Sequence, residues 1–173
     1  MRQLSLMNKI TQHACAVIIK NTGVLITGPE NTGKSELLLG LVDRGHTFIS
    51  DDATCITRIQ DDLFISAPDA ISNKLLIRDI GCLDMAKLYG NTAANTQTHL
   101  QLIITLTKNN ISLRSDLTPY QQTQKILGID VPKVLIKLSN TRDLPLIVEV
   151  LVKDHLVRHG KTANTTRETA DAS

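Results

Sequence analysis

The chain has 173 residues, 42% of them hydrophobic, with 19 Lys+Arg against 17 Asp+Glu and a net charge of +2. That length suits one domain that buries a core without staples, and so even a charge balance supplies no bulk field to recruit nucleic acid or an acidic membrane. With 2 Tyr, 2 Phe and no Trp, there is no stacking platform for single-stranded nucleic acid.

The apolar runs, of which Leu144–Val152 is among the longest, fall far short of a bilayer span. The opening MRQLSLMNKITQ has neither a signal-peptide core nor a cleavage site, so no export and no membrane anchoring are predicted. Cys15, Cys55 and Cys82 are odd in number and outside any C-x-x-C pair, which predicts a reduced, cytoplasmic compartment without structural zinc.

In chain order, residues 1–12 read as an N-terminal extension. Cys15–Lys20 and Val24–Thr27 read as strands about an Asn21–Gly23 turn. Glu36–Arg44 carries Leu37, Leu38, Leu41 and Val42 at helical spacing, with Gly45 where a helix ends. Thr47–Ser50 reads as a strand ending on Asp51-Asp52, and further strands are predicted at Cys55–Arg58, Leu63–Ser66, Lys74–Ile77, Leu100–Thr107 and Lys133–Leu138. Asp61-Asp62 suits a hairpin turn, and Asp84 suits a helix N-cap ahead of Met85–Leu88. Leu144–His159 closes the fold as a helix capped by Asp143 and stopped by Gly160. The polar stretch 161–173 is predicted to be a disordered tail. One α/β domain with an antiparallel component, over residues 13–160, is the expected fold class.

The informative string is Gly28-Pro29-Glu30-Asn31-Thr32-Gly33-Lys34-Ser35. It matches G-x-x-x-x-G-K-[ST] and stands between an apolar strand and a helix, where backbone N–H groups and the helix dipole can cradle a polyphosphate. Lys34 can then reach the β- and γ-phosphates, and the Ser35 hydroxyl can ligate Mg²⁺. A phosphorylated nucleotide or a close relative, with Mg²⁺, is the ligand reading. Asp51-Asp52, at a strand end facing the ligand crevice, can divide two tasks, one carboxylate near the metal and one accepting a hydroxyl proton. Thr107-Lys108-Asn109-Asn110 lacks the Asp of a guanine-reading string, which argues against a small GTPase.

These residues resemble the catalytic domain of the HPr kinase/phosphorylase family. His13, Val24-Leu25-Ile26-Thr27-Gly28, the phosphate loop, Arg44-Gly45-His46 and Asp51-Asp52 stand in the family's order and spacing. Downstream, Ala67-Pro68, Leu75 through Asp84, Leu127 through Lys133 and Arg142 ahead of Leu146–Val150 resemble its later motifs. The resemblance covers roughly His13 to Gly160 and lacks the family's separate N-terminal domain. It implies a P-loop kinase core of the HPr kinase/PEP carboxykinase-like type, a mixed sheet with the P-loop helix and a C-terminal helix.

The resemblance further implies a protein-serine kinase acting on an HPr-type phosphocarrier of the phosphotransferase system, with ATP or pyrophosphate as donor, and a reverse phosphorolysis. By position, Asp52 would take the serine proton, Lys34 would neutralise the transferring phosphoryl, and Ser35 would hold Mg²⁺. His13 and Arg114 would complete the site, and Arg142 would lie in the loop tied to dephosphorylation. The family's hexamers imply a homo-oligomer. His46 is expected to support the Asp51-Asp52 strand, and Arg78 to be a signature residue or a strand-end ion-pair residue.

Three departures stand out. The family's Mg²⁺-ligating Glu is Leu76 here, which cannot bind a hard cation and leaves Asp51, or a register change bringing in Asp79, to substitute. Glu30 adds negative charge to the phosphate loop, and Lys137 through Asp143 keeps little of the family's dephosphorylation loop. A non-catalytic or weakly catalytic nucleotide-binding regulator, and a P-loop kinase of another hydroxyl substrate, are the competing readings.

Overall fold

Residues 8–160, except 91, 94, 95, 114 and 120, are described by the computed structural model of the chain. The expectations for residues 1–7, Arg114 and the 161–173 tail lie outside them. Short apolar runs separated by Gly, Asn and Asp turns become, in chain order, β1 (Lys9–Gln12), β2 (Cys15–Ile19), β3 (Thr22–Thr27), α1 (Lys34–Asp43), β4 (Thr47–Ser50), β5 (Thr54–Ile59), β6 (Asp62–Ser66), β7 (Lys74–Ile77), β8 (Gly81–Asp84), α2 (Met85–Tyr89), β9 (Thr98–Thr107), β10 (Gln121–Ile126), β11 (Ile129–Lys137) and α3 (Leu144–Arg158).

The main sheet runs β1-β5-β6-β9-β3-β2-β4, with β11 joined to β9 and β10 to β11. Among the described strands, β3–β9 and β9–β11 pair parallel and the other pairs are antiparallel. Alternation along each strand sorts side chains onto two faces. Val17, Ile19, Val24, Ile26, Leu102 and Ile104 face one core with Leu38, Leu41, Val148 and Val152 of the helices. Ala16, Leu25 and Ile103 face a second core with Ile56, Leu63 and Ile65, where β5 and β6 curl over the other side. The central strands are therefore apolar on both faces, which is why β3 is buried along its whole length. Separately, β7 and β8 form a two-stranded hairpin that packs on α1.

Several boundaries differ from the sequence reading for a common reason. Lys9–Gln12, read as part of an extension, is a strand because it pairs with Thr54–Thr57 of β5 at the sheet edge. The polar run Gln121–Ile126 has no apolar alternation, yet it pairs along β11 and draws that strand's start back to Ile129. Edge strands need only one buried face, so their periodic signal is weak. Asp84 caps α2, its Oδ1 accepting from the Lys87 N–H at 3.1 Å, and Asp143 caps α3 through the Leu146 N–H at 3.1 Å. Gly45 follows the α1 C-cap at φ 96°, as a helix-ending glycine should.

His46 stands directly before β4 and outside the cleft. Its Nε2 lies 2.7 Å from Glu149 Oε1, which ties the start of the strand leading to Asp51-Asp52 to α3. Arg44 reinforces the same joint, donating to Asp143 at 2.9 Å and to Glu149 at 3.2 Å. Gly40 allows the close approach of the two helices, since a Cβ there would stand 2.9 Å from Pro145 Cγ. The His46 hydrogen bond, with the Arg44 charge behind it, holds the Glu149 carboxyl below the usual glutamate range. A depressed acid contributes stability above its unfolded pKa, and that contribution is lost as pH falls through the folded pKa. Glu149→Gln is therefore expected to lower unfolding stability by about 1–2 kcal/mol at pH 7, with the difference from wild type closing at acid pH in paired urea melts. A gap that persists at low pH would show that packing, not charge, carries the contact.

Candidate active site

The phosphate loop begins where β3 is pressed against β9. Thr27 Oγ1 meets Thr105 Oγ1 at 2.7 Å, and at Gly28 (φ 145°) a Cβ would stand 2.7 Å from the Leu106 carbonyl oxygen. A side chain here would force the strands apart, so glycine is required by contact as well as by φ. Left-handed backbone at Asn31 (φ 60°) and Gly33 (φ 81°) curls the loop into the concavity that suits an anion. Thr32 closes the curl by donating to the Pro29 carbonyl at 2.8 Å. Lys34 is buried, and its Nζ donates to the carbonyls of Gly28 at 2.9 Å and Pro29 at 2.8 Å. These neutral acceptors satisfy its hydrogen bonds without cancelling its charge, and leave it available to a phosphate oxygen, which is the stronger partner.

Asp51 and Asp52 adjoin in sequence and differ in every physical respect. Asp51 is 5% exposed. A carboxylate so buried must be hydrogen-bonded, and three elements provide donors. Ser35 Oγ donates to Oδ1 at 2.8 Å, Cys15 Sγ to the same oxygen at 3.2 Å, and the Leu76 N–H to Oδ2 at 3.1 Å. Burial, then the Asp51 charge, pushes the Cys15 thiol far up from its ordinary value, so it stays protonated and is no nucleophile.

Asp52 turns the other way, its side chain 72% exposed, with Oδ1 3.0 Å from His13 Nδ1. It sits at φ 65° in a tight turn closed by the Ala53 N–H on the Asp51 carbonyl at 2.7 Å. A positive central φ is costly for a non-glycine residue, and such strain gathers at functional sites. An ion pair this exposed contributes little to stability, so its relevance is geometric.

These groups line one cleft of about 1090 Å³, comparable with the larger small-molecule sites. His13, Glu30–Ser35, Asp51 and Asp52 come together there. Gly28 and Pro29 form the loop's stem and hold Lys34. The far wall is the tip of the β7–β8 hairpin, Leu76 through Gly81. From it Arg78 donates to the Asn31 side chain, which joins the hairpin to the phosphate loop. Asp79 stays at the tip with φ 61°, and Leu76 pairs with Cys82, so the register is the one that leaves Leu76 beside Asp51. The Leu76 side chain is 64% exposed and contributes no ligand. Arg142 does not line the cleft; its guanidinium donates to the Lys137 carbonyl at 3.1 Å.

No group of three or more His, Cys, Asp and Glu that could hold a metal occurs among the described residues. Ser35 and Asp51 do present a hydroxyl and a carboxylate side by side, hard oxygens that fit Mg²⁺, an ion usually held by one or two carboxylates together with phosphates and water. The Cys15 and Leu76 donors and the Arg78–Asn31 link were not visible as sequence signals. Each depends on strand register, and no spacing in the chain encodes it.

The family model for the HPr Serine kinase C-terminal domain matches residues 4–171. The chain is 35% identical to the HPr kinase/phosphorylase of Polaromonas naphthalenivorans over 87% of its own length and 48% of that protein. With the HPr kinase/phosphorylase of Bordetella petrii it shares 33% identity over 86% of its length and 49% of the relative. It thus spans about half the length of the curated relatives it matches. The solved HPr(Ser) kinase/phosphatase of Coxiella burnetii superposes with a TM-score of 0.82 at 39% identity, covering 87% of this chain and 93% of that one.

The strain at Asp52 has a direct test. In most positions alanine is more stable than glycine, but at φ 65° an alanine Cβ costs about 1 kcal/mol that glycine avoids. Asp52→Gly is expected to unfold at higher denaturant than Asp52→Ala. The reverse order would show the turn to be relaxed.

Proposed function

The chain belongs to the HPr Serine kinase C-terminal domain family, and from that footing we propose that it transfers a phosphoryl group from ATP to a serine hydroxyl of an HPr-type phosphocarrier. The observation that carries this reading is the division between Asp51, buried and hydrogen-bonded beside Ser35, and Asp52, exposed at the mouth of the same cleft. Phosphoryl transfer demands mostly positioning and charge stabilisation, with one carboxylate aligned on the acceptor hydroxyl.

In this reading the phosphate loop binds the polyphosphate, and Lys34 exchanges the Gly28 and Pro29 carbonyls for the oxygens of the transferring group. Ser35 and Asp51 would hold Mg²⁺, which when bound offsets charge on the phosphates. Asp52 accepts the serine proton as the serine oxygen bonds to phosphorus and the bond to the leaving diphosphate breaks. His13, 3.0 Å away, orients that carboxylate. In reverse, an oxygen of inorganic phosphate bonds to the phosphoserine phosphorus, the bond from phosphorus to the serine oxygen breaks, protonated Asp52 returns the proton to that oxygen, and pyrophosphate leaves. Arg114 is proposed to complete the site and Arg142 to serve dephosphorylation. A cytoplasmic homo-oligomer, a hexamer like those of the family, is the proposed state. A second reading is favoured by Leu76, an exposed apolar side chain where the family has a Mg²⁺-ligating Glu: a nucleotide-binding regulator with little or no transfer.

The deciding experiment incubates the chain with labelled ATP, Mg²⁺ and the HPr-type carrier from the same source. Label is expected on a carrier serine, and Asp52→Asn is expected to slow transfer by about 100-fold or more. Nucleotide binding without label would establish the regulator. In that case Leu76→Glu is expected to restore transfer. Label on a small hydroxyl compound in the carrier's absence would overturn the substrate assignment.

A further inference from the structure

Asp51 is the carboxylate hydrogen-bonded to Ser35 in this cleft, and Leu76 supplies it with a backbone donor and no acid of its own. A cation held by one protein carboxylate is sensitive to how that carboxylate is turned, because no second acid compensates a misplaced oxygen. Ser35 anchors Oδ1 from the ligand side, and a bound cation would compete for the oxygen of that hydroxyl. The anchors behind the carboxylate are the Leu76 N–H on Oδ2 at 3.1 Å and the Cys15 thiol on Oδ1 at 3.2 Å. A carboxylate only accepts, so the thiol is the donor in this contact.

Cys15 reaches Asp51 through an irregularity in strand pairing. β2 and β4 shift register between Ala16 and Val17, at the end where Ala16 stands opposite Ser50. Cys15 is 1% exposed at the wall of the cleft, and the contact of its thiol is with the Asp51 carboxylate.

We infer that Cys15 is a positioning residue of the cation subsite: its thiol fixes the plane of the Asp51 carboxylate from the protein side. The inference rests on the nucleotide-and-Mg²⁺ reading proposed above. Partners that orient a metal-binding group typically change metal affinity by about 10–100-fold when removed.

The test uses the full chain and a fluorescent ATP analogue, with Mg²⁺ titrated into each variant. Cys15→Val keeps the volume and removes the donor, and is expected to raise the Mg²⁺ requirement for tight nucleotide binding by about 10-fold. Cys15→Ser restores a donor and is expected to return close to wild type. Infrared spectra supply a second readout without metal. The S–H stretch that disappears in Cys15→Ser is expected to move to higher frequency in Asp51→Asn, whose amide oxygen accepts more weakly. An unchanged Mg²⁺ requirement in Cys15→Val, or equal loss in Cys15→Val and Cys15→Ser, overturns the inference while leaving the proposed function intact. Should Cys15→Val not fold, Cys15→Ala carries the same expectation. A wild-type chain whose nucleotide binding ignores Mg²⁺ removes the cation reading itself, and this inference falls with it.

Discussion

Parallel pairing of β3 with β9, buried on both faces, is the constraint on which the other parts of the molecule depend. Antiparallel strands can join by a short turn, but a parallel pair needs a long connection, and here it holds α1, the β5–β6 curl and the β7–β8 hairpin. The pair also sets where the phosphate loop leaves the sheet. Thr27 is tied to Thr105, and Gly28 lies so near the Leu106 carbonyl that no side chain fits. The chain must therefore turn at that point, with α1 starting directly behind the turn.

From this frame the cleft is assembled by elements that approach from different directions. The phosphate loop forms the floor, the β4–β5 turn brings both carboxylates, and the β7–β8 hairpin stands opposite. The protein treats the two acids by opposite means. Asp51 is removed from water and compensated by three donors, so its position is set. Asp52 stays in water, and its position comes from backbone geometry, a strained turn that costs stability and aims the side chain outward. One fixed acid and one exposed acid, adjacent in the chain, can then take different protons or different ligands without competing.

Leu76 bears on this geometry through its backbone and not its side chain. The backbone at Leu76 still serves Asp51, since the amide donates regardless of the side chain. The Leu76 side chain adds no charge to the cleft, and the phosphate loop carries Glu30 on the other side. Arg142, placed at the β11–α3 connection and bonded to the Lys137 carbonyl, takes no part in this cleft within the single chain.

Most of the architecture was legible from the order of residues because it rests on local rules. Alternation marked the core strands, helical spacing marked α1 and α3, and Asp84, Asp143 and Gly45 stand at helix ends for reasons confined to a few neighbouring residues. The phosphate loop was legible for the same reason, since eight consecutive residues carry both its shape and its charge. Edge strands β1 and β10 were not, because a strand with one half-buried face needs little apolar alternation and is defined by its partner. Nor was the role of His46, whose partner on α3 lies 103 positions away. Two adjacent aspartates in the sequence pointed to paired acids. That one is buried among a thiol, a hydroxyl and an amide while the other is strained into solvent was decided by strand register and by a turn, which exist only once the chain is folded.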